Sequence, residues 1–140
     1  MRFLQIFCKR IVKNQTLGGH RLVKILCVDD STLQKNELVK FLKSLGYSVK
    51  GASNGVEALA LITEGFLPDV LLTDLFMPEM DGLELIEEIN KKGLNILAIV
   101  LSTHVHNAIE KKGQELGVIS FIKKPFNYGK LRDVLEKALN

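Results

Sequence analysis

Two adjacent aspartates, Asp29 and Asp30, follow the apolar run Val23-Lys24-Ile25-Leu26-Cys27-Val28. A third, Asp74, closes a second run, Asp69-Val70-Leu71-Leu72-Thr73. Ser102 ends another apolar stretch, and Lys124 follows a further strand-like run and precedes Pro125. Three carboxylates held together repel one another, so such a site raises pKa values or recruits a cation. Magnesium suits it, because Mg²⁺ prefers a few carboxylates, waters and phosphate oxygens to an all-protein cage. Beside that cation a carboxylate oxygen can act as a nucleophile toward phosphorus. The metal and the Lys124 ammonium would offset charge on the equatorial oxygens of the transferring group. The Ser102 hydroxyl could donate to the phosphoryl group once it is attached. All of this requires that residues far apart in sequence converge.

The elements between them supply the means. From Val23 onward, strand-like and helix-like segments alternate five times. The strand candidates are residues 23–29, 48–53, 69–74, 96–102 and 118–123. The first, third and fourth are mostly apolar, as suits strands buried on both faces of a parallel sheet. The second, Ser48-Val49-Lys50-Gly51-Ala52-Ser53, is more polar and belongs at an edge. Leu38, Phe41, Leu42 and Leu45 repeat at i, i+3, i+4, i+7, and Gly46 then stops the helix. Leu131, Val134, Leu135 and Ala138 repeat that spacing near the end, with Asn127 as N-cap. Ser31 to Gln34 and Asn54 to Glu57 have the spacing of capping boxes. Alternating strands and helices imply parallel strands with right-handed crossovers. Sites in such sheets form outside the carboxyl ends of the strands, where Asp29, Asp30, Asp74, Ser102 and Lys124 all fall.

A chain of 140 residues with 46% apolar and 25% charged side chains reads as one ordinary domain that buries a core without staples. Its two cysteines, Cys8 and Cys27, give no disulfide framework or metal-ligand spacing, and a reducing cytosol is the default. No stretch approaches the roughly eighteen apolar residues that span a membrane. The net charge of +3 is local: residues 1–22 carry five basic side chains and no acid. Residues 23–140 hold 14 Lys and Arg against 16 Asp and Glu. Net basicity is therefore no argument for nucleic-acid binding.

From residue 23 to 140 the chain resembles the receiver domain of two-component response regulators. The resemblance rests on Asp29-Asp30, on Asp74-Leu75-Phe76-Met77-Pro78 with Met80-Asp81-Gly82, on Ser102, and on Phe121-Ile122-Lys123-Lys124-Pro125-Phe126. Together, in this order and spacing, these pieces are highly specific. The resemblance implies a flavodoxin-like, doubly wound α/β fold: five parallel strands in the order 2-1-3-4-5 with five helices. It implies that Asp74 accepts a phosphoryl group from a histidine kinase or histidine phosphotransfer protein. Asp29, Asp30, Asp74 and the backbone carbonyl of Phe76 would hold Mg²⁺. Lys124 would pair with the phosphoryl group, and the Lys124–Pro125 bond would be cis. Ser102 and Phe121 would move as the switch, reshaping the surface of the fourth helix, fifth strand and fifth helix for a downstream target protein. The expected protein is a cytoplasmic, stand-alone phosphorelay component, a monomer or weak dimer, and not a turnover enzyme. At most it promotes its own phosphorylation and dephosphorylation. The other reading is a receiver-fold binding module that signals without phosphorylation.

Each residue also has a plainer reading. Asp29 or Asp30 could cap a helix, Asp74 could be a turn residue before Pro78, and Phe121 could be core. His106 reads as a solvated helix residue, and Lys123 as a surface charge beside the functional Lys124. Thr103 stands where the family usually has a small residue. Phe76 and His104, two residues past Asp74 and Ser102, fall where the resembled family is variable, and the resemblance implies that they would tune the lifetime of the phosphoryl group. An apolar Phe76 would shield it, and His104 would orient a water or lie exposed. Gly113 would loosen the fourth helix by about 1 kcal/mol relative to Ala. Haloacid-dehalogenase phosphatases also use an aspartate after a strand, but they need a second Asp where this chain has Phe76. A flavin protein could share the sheet, but three acids would repel the flavin phosphate, and fold alone assigns no function.

Residues 1–22 lie outside the resemblance. Phe3, Leu4, Phe7, Cys8 and Ile11 share one side of a helical wheel, and Arg2, Lys9 and Lys13 another. The segment reads as a basic extension, either a disordered tail or a short amphipathic helix for a membrane surface or a partner. It is a poor signal peptide, because Lys9 and Arg10 interrupt the apolar stretch. The sequence stops at Asn140, directly after the fifth helix, so output is expected to pass through a partner.

Overall fold

The computed structural model describes residues 22–140. The reading of the basic N-terminal segment falls outside them, apart from the exposed Leu22. Ten elements alternate: β1 (Lys24–Val28), α1 (Thr32–Ser44), β2 (Ser48–Ala52), α2 (Gly55–Thr63), β3 (Val70–Asp74), α3 (Gly82–Lys91), β4 (Leu97–Ser102), α4 (Asn107–Glu115), β5 (Val118–Lys123) and α5 (Tyr128–Leu139). Each lies within two residues of the strand read from sequence wherever a strand was expected. The five strands are all parallel, in the order β2-β1-β3-β4-β5. The polar strand is an edge, as its composition required.

Successive side chains of a strand point to opposite faces, and the core divides accordingly. Ile25 and Cys27 of β1, with Leu72 and Ile99, pack under Leu38 and Leu42 of α1 and Leu131 and Leu135 of α5. Leu26 and Val28, with Leu71 and Val100, pack under Ala58 and Ile62 of α2 and Leu83, Ile86 and Ile89 of α3. Leu26, Leu71, Leu72 and Ile99 are fully buried. Burial of each such side chain contributes about 1.5–3 kcal/mol toward folding.

The helix starts are fixed by side chains. Asn54 Oδ1 accepts from Glu57 N at 2.8 Å, and Asn127 Oδ1 from Lys130 N at 2.7 Å. Asp81 and Glu84 form a reciprocal capping box at the head of α3. Ser31 Oγ accepts from Gln34 N at 3.4 Å, but the return half of the expected box is missing. The Ser31 N–H donates instead to Asp29 Oδ1 at 2.9 Å.

Gly113 in α4 also has a packing role, because a Cβ there would fall on the ring of Phe121. The glycine is the space into which that ring fits.

Candidate functional site

The parallel register carries β1, β3, β4 and β5 to one end of the sheet, and the chemistry-bearing residues lie there. Asp29 follows β1 and is buried. Its backbone N–H donates to Ala52 O at 3.1 Å, which anchors the turn to β2. Asp30 is exposed beside it. Asp74 ends β3, flanked by the buried Thr73, whose hydroxyl donates to the Asp74 carbonyl oxygen at 2.9 Å. Oxygens of Asp29, Asp30 and Asp74 all lie within 4.8 Å of one another.

Lys124 enters this cluster from the end of β5. Its N–H donates to Ser102 O at 2.8 Å, and the following bond to Pro125 is cis, as expected. The ammonium donates to Asp29 Oδ2 at 3.0 Å and to Gln34 Oε1 at 3.0 Å. It stands 3.6 Å from Asp74 Oδ1. The neighbouring Lys123 is exposed.

The electrostatics follow. Burial pushes the Asp74 carboxyl up from its ordinary value. The Lys124 ammonium and the Leu75 N–H pull it down, whereas Asp29 and Asp30 push it up further. Hard oxygen donors with a deficit of positive charge form a donor set that fits a small divalent cation.

Ser102 and Phe121 occupy the neighbouring strands without touching the acids in this arrangement. Ser102 is buried, and its hydroxyl donates to His104 O at 3.0 Å and accepts from His104 N at 3.3 Å. Phe121 is half-buried, with its ring lying against Gly113. His104 is exposed, with its ring edge-to-face on His106 at 4.3 Å between centroids. His106 occupies the N-cap position of α4 without a side-chain cap bond. Phe76 is 55% exposed in the loop between β3 and α3. Thr103 lines a cavity of about 360 Å³ beside Lys124, together with Gln34, Glu37, Phe126 and Tyr128.

Two contributors were missed in the sequence. Gln34 was read only as a helix cap, although it holds the lysine. Thr73 was read as part of an apolar strand, although its hydroxyl braces the Asp74 backbone. The signal for Gln34 lay in Asp29, two residues before Ser31, where a carboxylate can take the N-cap N–H.

The family model for the response regulator receiver domain matches residues 25–136. The chain belongs to the response regulator receiver domain family. It is 32% identical over 116 residues to sporulation initiation phosphotransferase F of Bacillus subtilis, covering 83% of this chain and 93% of that protein. It is 32% identical over 118 residues to the sensor histidine kinase CheAY of Helicobacter pylori, covering 82% of this chain. There it spans 15% of the kinase's length. The chemotaxis protein CheY4 of Vibrio cholerae superposes with a TM-score of 0.80 at 29% identity, over 85% of this chain and all of that one. The receiver fold, its strand order and its place among two-component signalling proteins are thereby established. Among the described residues, no helix is long and apolar enough to cross a membrane.

Proposed function

We propose that residues 23–140 form a phosphoacceptor switch in a two-component phosphorelay, with Asp74 as the residue that takes the phosphoryl group. The observation that carries this reading is the convergence of Asp29, Asp30 and Asp74 within 4.8 Å, with the Lys124 ammonium 3.6 Å from Asp74. A carboxylate oxygen of Asp74 attacks phosphorus on the phosphohistidine of a kinase or phosphotransfer protein. The new O–P bond forms as the P–N bond breaks, and the imidazole leaves. Asp29, Asp30, Asp74 and the backbone carbonyl of Phe76 would hold Mg²⁺. Bound there, that cation supplies positive charge against the oxygens of the transferring group. Lys124, whose ammonium stands 3.6 Å from Asp74 Oδ1, would supply further positive charge.

Ser102 then exchanges its bond to the His104 backbone for one to a phosphoryl oxygen. The loop carrying His104 and His106 shifts with it, and Phe121 turns in the space that Gly113 leaves. The face of α4, β5 and α5 changes for a downstream target protein through contacts made only in the phosphorylated state. The phosphotransferase and the histidine kinase among the relatives support a partner of that kind. The chain acts in the cytoplasm as a monomer or weak dimer, and its only turnover is of its own phosphoryl group.

Intact-protein mass after incubation with acetyl phosphate tests this directly. A magnesium-dependent phosphoryl adduct is expected on the wild type and not on Asp74→Asn. A folded wild type that forms no adduct with either acetyl phosphate or a phosphohistidine donor would instead support a module that signals without phosphorylation.

Phe76 bears on the lifetime of that adduct. Its exposed ring borders the Asp74 loop and offers no group to orient an attacking water, whereas an amide would. Phe76→Asn is expected to shorten the half-life of the adduct several-fold, measured by phosphate release. An unchanged half-life would remove the shielding role.

A further inference from the structure

Gln34 is the third residue of α1 after its N-cap Ser31. A glutamine there ordinarily reaches back to the N-cap N–H and closes a capping box. Here Asp29 Oδ1 already takes that N–H at 2.9 Å. The Gln34 side chain turns the other way and accepts from Lys124 Nζ at 3.0 Å. Asp29 thus does two things: one oxygen frees Gln34 from capping, and the other holds the same ammonium at 3.0 Å.

An ammonium has three N–H donors and no acceptor. Two are engaged by acceptors at the start of α1. The third is left for the 3.6 Å gap toward Asp74 Oδ1. Gln34 is exposed and lines the cavity beside Lys124, so water could satisfy the ammonium in its place. The contact is therefore not needed to rescue a buried charge. What the amide supplies is direction. It also does so without charge, whereas an acid would add a fourth carboxylate where a phosphoryl group must enter.

We infer that Gln34 is a positioning residue for phosphoryl transfer, fixing Lys124 so that its remaining N–H faces the group on Asp74. The inference rests on the reading of Asp74 as phosphoacceptor. Gln34→Met removes the acceptor while keeping side-chain length and helix propensity, and Ser31 still caps α1.

Two measurements decide it. The first needs neither metal nor phosphoryl donor: trace acetylation of the folded protein, with Lys123 and Lys124 resolved by fragment mass spectrometry. Gln34→Met is expected to acetylate Lys124 about two- to fivefold faster relative to Lys123, the scale of one solvent-accessible hydrogen bond. The second is phosphoryl uptake from acetyl phosphate, expected to fall about three- to tenfold in Gln34→Met and not to fall further when Gln34→Met is added to Lys124→Ala. A general loss of structure would slow uptake in both backgrounds and would leave the Lys123 to Lys124 ratio unrelated to it. Unchanged Lys124 labelling, unchanged uptake, or an equal loss in the Lys124→Ala background each overturns the inference. A wild type that takes no phosphoryl group overturns the reading of Asp74, and with it the role in transfer, while the labelling still reports whether Gln34 holds the lysine.

Discussion

Lys124→Ala is expected to lower phosphoryl uptake by about 100-fold, the weight of one charge-stabilising donor at a reacting centre. It also destabilises the protein at neutral pH, by about 2–3 kcal/mol. Removing one partner of a buried ion pair costs about 3–5 kcal/mol. The lower figure applies because the site opens to water: the side chains of Lys124 and Asp74 keep 13% and 16% of their exposure. For a chain of this size the loss is roughly 6–12 °C in Tm. Its pH dependence has a definite sign. The Asp74 carboxyl already lies above its ordinary value of 3.8 in the folded state, chiefly through burial, and Lys124 holds it down. Between the unfolded and folded values the native state binds more protons than the unfolded one. Stability from this group therefore falls as pH rises through that window. Without Lys124 the folded value climbs further and the window widens upward. The difference between variant and wild type is thus largest above the window and shrinks toward acid, where Asp74 is neutral in both states. Thermal melts from pH 3 to 8 check this, and a difference that grew toward acid would contradict the assigned cause.

The acids and the lysine were legible because their positions follow from strand ends alone. Once residues 23–29, 69–74 and 118–123 are parallel strands, Asp29, Asp74 and Lys124 must share one end of the sheet, whatever the helices do. The edge position of residues 48–53 was legible for a different reason: Ser48, Lys50 and Ser53 break the continuous apolar run that suits a strand covered on both faces. What escaped depended on competition between partners. Ser31 and Gln34 have a capping spacing, but which acceptor takes the Ser31 N–H is decided by where the chain turns after Asp29. Gly113 has a helix cost that can be read from its type, yet its use depends on Phe121, eight residues on and in the adjacent strand. The left-handed backbone at Glu79, φ +71°, had no glycine or asparagine to announce it. The loop it belongs to is held from both sides, by β3 and by the capping box of α3.

That loop is where Gly82→Ala has its large effect. Gly82 opens α3, and its N–H donates to Leu75 O at 2.8 Å, which joins the helix to the strand carrying Asp74. A Cβ at this position would run into the Asp74 carbonyl oxygen and lie 3.2 Å from Thr73 Cγ2. The first of these is a backbone atom already braced by the Thr73 hydroxyl, so it cannot turn aside as a side-chain tip would. Gly82 does not have a positive φ, so the cost is one of space rather than of backbone conformation. Relief requires α3 to move away from β3. Overpacking of this kind costs about 1–3 kcal/mol, and the upper end is expected because backbone must shift. The same movement displaces Asp74 relative to Lys124, so phosphoryl uptake falls together with stability. Gly46→Ala is the contrast. Its φ of +97° strains an alanine, but nothing lies within 4 Å of the added carbon, and it sits at the far end of α1 from the acids. It should cost about 1–2 kcal/mol for the left-handed backbone and leave uptake per folded molecule unchanged. Equal losses of stability in the two variants, with uptake intact in both, would show that the contact between Gly82 and the Asp74 backbone does not position Asp74 for uptake.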